Sequence, residues 1–182
     1  MSLSWSHIFR LGLVQMALGS IVVLTTSTLN RLMVVEFALP ALLPGALVGL
    51  HYAIQLSRPR WGFRSDVGGN RTRWIIGGMI VLALGGAGAT YAVTLFAEHY
   101  WLALIASILS YGLIGIGVGA SGTSLLALLA TATAPHRRAA AATITWLMMI
   151  FGSALTAGVA GQFLDPYSPE RLMTVVSIIA LS

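Results

Sequence analysis

Groups able to bind or react are scarce in this chain and fall in two places. One is His51, which lies inside a long uncharged stretch, where an ionisable side chain is costly and usually marks function. A neutral imidazole nitrogen can ligate a metal, although a hydrogen bond to a neighbouring helix would satisfy the same ring. The other is the segment 61–73, which combines a carboxylate, a guanidinium and flexible glycines at Gly62, Asp66, Gly69 and Arg71.

Nothing else in the sequence points to catalysis. The absence of cysteine excludes disulfides, thiolate metal sites and cysteine nucleophiles. The sequence contains no HExxH motif, no phosphate-binding P-loop and no pair of carboxylates within an apolar stretch. We therefore predict a protein that is not an enzyme and has neither catalytic residues nor a protein-ligated metal site.

The segments that position these residues are strongly apolar. Hydrophobic residues make up 57% of the chain and charged residues 8%, and the mean hydropathy is +0.88. Soluble domains carry about 25% charged residues because their surfaces meet water. We therefore expect most of this surface to face lipid. The net charge of +5 comes from arginines between the apolar runs, so we expect no nucleic-acid partner.

Long uncharged runs predict transmembrane helices, because about 20 apolar residues cross the hydrocarbon layer as a helix. We predict an all-α integral membrane protein with five complete transmembrane helices and the start of a sixth, in one N-terminal transmembrane bundle covering residues 1–182. The predicted helices span about 11–30, 35–57, 74–97, 101–133, 139–164 and 172–182. The sixth run is too short to cross, so we interpret it as truncated; an interfacial tail is the alternative. A C-terminal six-helix half would then be absent from this chain.

The arginines predict the orientation. Successive predicted helices cross the membrane in opposite directions, so every second connecting segment lies on the same side. The segments on one side carry Arg10, Arg58, Arg60, Arg64, Arg71, Arg73, Arg137 and Arg138, whereas those on the opposite side carry only Arg31 and Arg171. Because positive residues concentrate in cytoplasmic loops, this bias predicts a multi-pass protein with its N-terminus in the cytoplasm.

The segment 61–73 resembles the signature loop between helices two and three of the major facilitator superfamily. The matching residues are Gly62, Asp66, Gly69 and Arg71, whereas Val67 and Thr72 stand where that superfamily has basic residues. The resemblance implies a cytoplasmic latch that holds two six-helix halves together. The alternative is an ordinary arginine-rich loop whose single acid is solvated.

Two further stretches narrow the resemblance. The first is 39–52, which contains two prolines and His51. The second covers 119–130 and 137–152, with the arginine pair before a run of alanines, and continues to 161–166. Together they resemble the PucC/LhaA family, a bacteriochlorophyll-delivery branch of the major facilitator superfamily. The similarity extends over essentially the whole chain.

This family resemblance implies a function that composition alone does not. It implies a factor for the assembly of light-harvesting complexes, which delivers or organises bacteriochlorophyll and antenna polypeptides in photosynthetic membranes. The partners would be light-harvesting antenna polypeptides, the reaction centre and membrane lipid. Bacteriochlorophyll would be the bound cofactor, with His51 as a candidate ligand of its magnesium. The location would be the bacterial cytoplasmic membrane, including its intracytoplasmic photosynthetic extension.

Two other functions remain open from the sequence. One is a solute transporter of the same superfamily, which would need polar or charged groups around a central cavity. Within the predicted spans, the single Asp, Glu, Lys or Arg is Glu36, at the outer edge of the second span, which argues against a proton-coupled transporter in this part of the chain. The other is a permanent structural subunit of a photosynthetic complex.

Overall fold

A computed structural model describes residues 3–164 and 168–181. Every regular element in these two ranges is helical, so the predicted all-α membrane class is confirmed. The helices are α1 (Trp5–Val23), α2 (Asn30–Val35), α3 (Leu42–Gln55), α4 (Arg58–Val67), α5 (Arg71–Leu95), α6 (Tyr100–Ala132), α7 (Arg138–Phe163) and α8 (Pro169–Leu181). A short 3-10 turn, Pro135–Arg137, precedes α7.

The first two helices form one continuous stretch, Trp5–Val35, with a π-helical segment at Leu24–Leu29 between them. The wider winding of a π segment changes the backbone hydrogen-bonding pattern. Here the carbonyl of Thr25 accepts a hydrogen bond of 2.8 Å from the hydroxyl of Tyr111 on α6. Tyr111 is completely buried. This bond ties the first helical stretch to α6 within the apolar core.

The second predicted span, 35–57, contains only a 14-residue helix, α3. Pro40 cannot lie in a helix interior, and Ala38 has a φ of 49°, so the chain turns before the helix begins at Leu42. Pro44 falls in the first turn, where backbone N–H groups have no intrahelical partner. The prolines therefore delay the start of the helix.

Residues between the second and third predicted spans also differ from the predicted loop, because α4 occupies most of them. Pro59 lies in the first turn of α4, a position that proline favours. Gly68 follows the last residue of the helix, and its N–H donates to the carbonyl of Arg64. The segment that carries the superfamily motif is thus a short amphipathic helix followed by a tight turn.

Four helical stretches in the described ranges are long and apolar enough to cross a membrane: Trp5–Val35, Arg71–Leu95, Tyr100–Ala132 and Pro135–Phe163. Helix α3 is shorter, with a rise of about 21 Å, and the 13 residues of α8 are shorter still. Ser182, the last residue of the sixth predicted span, lies outside the described residues.

Helices α5 and α6 pack closely at positions that have no side chain. A methyl group at position 117 would lie 2.6 Å from the amide nitrogen of Leu82 and 2.8 Å from the carbonyl oxygen of Gly78. Small residues commonly allow such close helix approach in membranes. Since the obstructing atoms at Gly117 belong to the backbone of α5, a larger side chain could enter only if the two helices moved apart.

Replacing Gly117 by alanine is expected to destabilise the bundle. The added methyl group forces α5 and α6 apart, and such overpacking costs about 1–3 kcal/mol. Gly158→Ala on α7 is the matched control, because nothing lies within 4 Å of a methyl group there, and alanine favours helix by about 0.5–1 kcal/mol. Thermal unfolding in detergent should therefore give a lower midpoint for Gly117→Ala only. Equal midpoints in the two variants would contradict the described packing.

Candidate functional site

Asp66, Gly69 and Arg71 of the predicted latch meet at the junction of α4 and α5. Arg71, the first residue of α5, donates from Nε and Nη2 to Oδ1 of Asp66 at 3.0 and 2.7 Å. The Asp66 side chain is 54% exposed and that of Arg71 is 24% exposed. An ion pair this open to solvent contributes about 0–1 kcal/mol. Its main effect is therefore to fix the position of the Arg71 side chain.

The same guanidinium also reaches α6. Nη1 of Arg71 donates to the carbonyl oxygen of Ala127 at 3.4 Å and to the hydroxyl of Thr131. The Thr131 hydroxyl in turn donates to the Ala127 carbonyl at 2.8 Å. One arginine at the start of α5 thereby connects the end of α4 with the last turns of α6.

The backbone at this junction explains the glycines of the motif. Gly69 has a φ of +65°, a left-handed conformation that glycine adopts without a steric penalty. Asn70 then caps α5, its side-chain oxygen accepting from the N–H of Arg73 at 3.2 Å. Gly62 lies opposite Thr123 of α6, where a methyl group would be 3.3 Å from Cγ2. The motif therefore makes a tight turn and lets α4 lie close to α6.

The arginine-bearing segments lie at one end of the bundle. Arg71 contacts the end of α6, as described above, and the N–H of Leu3 donates to the carbonyl of Ala132 at 2.8 Å. The Arg137 guanidinium lies 5.5 Å from the ring centroid of Trp5, a cation–π distance. The N-terminus, the α4–α5 junction and the turn before α7 thus share one end, as the arginine pattern requires.

His51 is placed away from this junction, on α3 and against α6. Its side chain is completely buried, and its Nε2 lies 2.6 Å from the side-chain nitrogen of Gln55. Gln55 accepts in turn from Arg58. The α3 backbone at His51 approaches Gly115 of α6, where a methyl group would lie 2.8 Å from the His51 carbonyl oxygen.

The surroundings of His51 limit what it can bind. Nδ1 is buried without a hydrogen-bond partner in the described residues, and the side chain has no exposed surface. A tetrapyrrole needs open space beside its axial ligand. Ligation by His51 would therefore require α3 to move away from α6.

Sequence reasoning missed a cleft of about 540 Å³ between α4, α5 and α6. Trp61 of α4 and Trp74 of α5 form one side of it, with ring centroids 5.9 Å apart and an interplanar angle of 56°. Gly77 of α5, Ile116 of α6 and Arg73 also line it. The tryptophans were visible in the sequence, but their meeting depends on the position of α4, which had been expected to be a loop.

Within the described ranges, no group of three or more His, Cys, Asp or Glu side chains could hold a metal ion. The longer helices are apolar along their length, and the interactions with charged side chains occur at their ends. These features define a polytopic α-helical membrane protein with an arginine-rich end and an ion-paired junction between α4 and α5.

The chain belongs to the PucC protein family. The family model, described as "PUCC protein", matches residues 28–182, and this match confirms the resemblance seen in the sequence. The last residues of one motif behind that resemblance, 165 and 166, lie outside the described residues.

Several relatives from photosynthetic bacteria are similar to the chain. It is 67% identical over 181 residues to the "Bacteriochlorophyll synthase 44.5 kDa chain" of Rhodobacter capsulatus, covering 100% of this chain and 42% of that protein. It is 32% identical to "Protein PucC" of Rhodobacter capsulatus, covering 97% and 41%, and 31% identical to "Protein PucC" of Cereibacter sphaeroides, covering 96% and 41%. The chain thus spans about two fifths of these relatives. No solved structure matches it.

Replacing Arg71 by glutamine is expected to loosen α4. The variant loses both the ion pair to Asp66 and the contacts to α6, so the amide protons of α4 should exchange up to about fivefold faster, as expected for a contact worth about 1 kcal/mol. Hydrogen–deuterium exchange over residues 58–70, followed by mass spectrometry, measures these exchange rates directly.

Arg64→Gln provides the control for that measurement. Arg64 is an exposed arginine on α4 whose side chain makes no hydrogen bond or ion pair within the part of the chain that the structure describes. Exchange that rises equally in both variants would mean that loss of charge, rather than the Arg71 contacts, controls α4.

Proposed function

We propose that this protein is a non-enzymatic assembly factor for bacterial light-harvesting complexes, which delivers or organises bacteriochlorophyll and antenna polypeptides. The observation that carries the proposal is membership of the PucC family, whose model matches residues 28–182. The 67% identical relative is named as a chain of bacteriochlorophyll synthase, which supports a link to this pigment, and two further relatives are named PucC. The location proposed is the cytoplasmic or intracytoplasmic photosynthetic membrane, with the N-terminus in the cytoplasm.

The surface of α7 supports a role in holding other membrane components. In Pro135–Phe163, the helical stretch that contains α7, only 22% of the most apolar 18 residues are buried within the described structure. The corresponding fraction is 44–50% in the other three long stretches. Large apolar side chains are exposed along one half of the helix, including Leu147 at 59%, Ile150 at 57% and Phe151 at 61%. This uncharged face has to meet lipid, another part of the polypeptide or a partner.

The other half of α7 packs against α1. A methyl group at Gly19 of α1 would lie 2.7 Å from the Met149 carbonyl oxygen, and one at Gly152 of α7 would lie 2.7 Å from the Met16 carbonyl oxygen. This close contact fixes the rotation of α7 about its axis. It therefore also fixes the direction in which the apolar face with Phe151 points.

We propose that a single-span antenna polypeptide packs on this face. Small residues beside the large ones, at Ala154, Ala157 and Gly158, would let a second helix approach. Nothing lies within 4 Å of a methyl group at Gly158, so this approach is open. The junction formed by Gly62, Asp66, Gly69 and Arg71 would act as the latch that keeps the arginine-rich end assembled during such contacts.

A transporter is the weaker candidate. The buried polar side chains of the described residues are serine, threonine, glutamine and one histidine, and several of them donate to carbonyls of their own helix. Coupled transport typically uses an ionisable group inside the membrane. Such an ionisable group would have to lie in the part of the longer relatives that this chain does not cover.

Photo-crosslinking tests the antenna role. A photoreactive residue in place of Phe151 should crosslink to light-harvesting polypeptides in photosynthetically grown cells, because that side chain projects from the uncovered face of α7. The control is Ile80, an equally exposed residue on α5 at 56%. Crosslinks confined to the protein's own polypeptide, together with colourless purified material, would contradict the proposal.

His51 stays the proposed ligand of bacteriochlorophyll magnesium, and its replacement by leucine tests this role. We expect His51→Leu to lower the bacteriochlorophyll bound to the purified full-length protein several-fold, as measured by absorption of the extracted pigment. Gln15→Leu is the control, because Gln15 is another buried polar residue in a membrane span. Equal pigment content in the two variants would leave His51 a packing role only.

A further inference from the structure

The cleft between α4, α5 and α6 changes in polarity along its length. Asn70 and Arg73 line the end near the start of α5, Trp61 and Trp74 follow, and the deeper part is lined by Gly77, Val81, Ile116 and Ala120. One end thus offers hydrogen-bond donors and a positive charge, while the other offers only apolar surface. We propose that this cleft binds an anionic phospholipid, with the phosphate at Arg73 and one acyl chain along the groove between α5 and α6.

The polar end has unused donors. The guanidinium of Arg73 makes no hydrogen bond or ion pair with any residue that the structure describes. Asn70 uses its side-chain oxygen to cap α5, which leaves its amide nitrogen free to donate. The nearest acid along the chain, Asp66, is already paired with Arg71. The net charge at this rim is therefore positive, which complements a phosphate diester.

The apolar end has room for a chain. Nothing lies within 4 Å of a methyl group placed at Gly77. One position further along α5, by contrast, Gly78 lies against α6, where a methyl group would be 2.6 Å from the Ser121 amide nitrogen. The close packing at Gly78 forms the closed back of the groove, and the absence of a side chain at Gly77 leaves its front open.

The chemistry of the cleft favours a phospholipid over a tetrapyrrole or a free anion. Trp61 and Trp74 are the amphipathic rings that lie at the headgroup level of membranes. His51 does not line this cleft, and the Asn70 oxygen is engaged in the helix cap. No residue of the cleft therefore offers a good ligand for magnesium. A free anion would use Arg73 and leave the apolar groove empty.

A bound lipid would also stabilise the position of α4. Apart from the Arg71 junction, α4 meets α5 through the contact between Trp61 and Trp74, and Trp61 lies over Gly119 of α6. An acyl chain beneath these two rings would fill the space between the three helices. The proposal does not depend on the antenna role, because it rests only on this cleft.

Lipid-dependent thermal stability of the full-length protein, delipidated in a neutral detergent, tests the proposal. Phosphatidylglycerol should raise the unfolding midpoint more than phosphatidylcholine does. Arg73→Gln should weaken the apparent affinity for phosphatidylglycerol about fivefold, the effect of one arginine near an anionic headgroup. Arg60→Gln, which removes an exposed arginine of α4 that does not line the cleft, should leave the affinity unchanged.

A second variant tests the groove itself. Gly77→Leu should fill it without a clash, so the protein should fold and keep its midpoint without lipid while losing the phosphatidylglycerol effect. Gly158→Leu, at another open glycine, should retain that effect. Equal stabilisation by both lipids, or by inorganic phosphate alone, would overturn the proposal. So would bacteriochlorophyll that remains with the delipidated protein and is lost in Gly77→Leu.

Discussion

The close backbone contact between α5 and α6 determines where the rest of this bundle can lie. Gly117 lies against the backbone of Leu82, and Gly78 against that of Ser121, so the two helices are nearly in backbone contact. Membranes offer little hydrophobic driving force between helices, and association depends on such packing. With α5 and α6 fixed in this way, the remaining faces of α6 become the surface against which α3 and α4 settle.

Helices α3 and α4 pack against α6 at small residues on successive turns of α6. Gly115 accommodates the α3 backbone at His51, and Gly119 accommodates the ring of Trp61 on α4. Farther along α6, the Ala127 carbonyl oxygen and the Thr131 hydroxyl accept hydrogen bonds from Arg71. The histidine, the aromatic cleft and the ion-paired junction are thus arranged along one helix, and a change in its tilt would alter all three.

Much of this arrangement could be predicted from the sequence, because lipid imposes a simple rule on composition. The long apolar runs predicted helices at α1, α5, α6 and α7, and the arginines predicted which segments share an end of the bundle. Asp66 and Arg71, both members of the motif, form an ion pair, and their role as a latch stays a prediction. The start of α3 was harder to predict, because the runs were defined by charge, and uncharged Pro40 and Ala38 decide where that helix begins. The burial of His51 and the cleft beside Trp61 depend on how helices tilt against one another, which hydropathy does not encode.

The π-helical segment at Leu24–Leu29 changes the directions in which the later side chains of the first helical stretch point. A π turn takes up about one residue more than an α turn, which rotates everything after it by roughly 100° about the helix axis. Leu32 and Met33 of α2 are buried, and the directions in which they point include this extra rotation. The backbone on the two sides of the segment is thus out of phase, and the carbonyl held by Tyr111 lies where the phase changes.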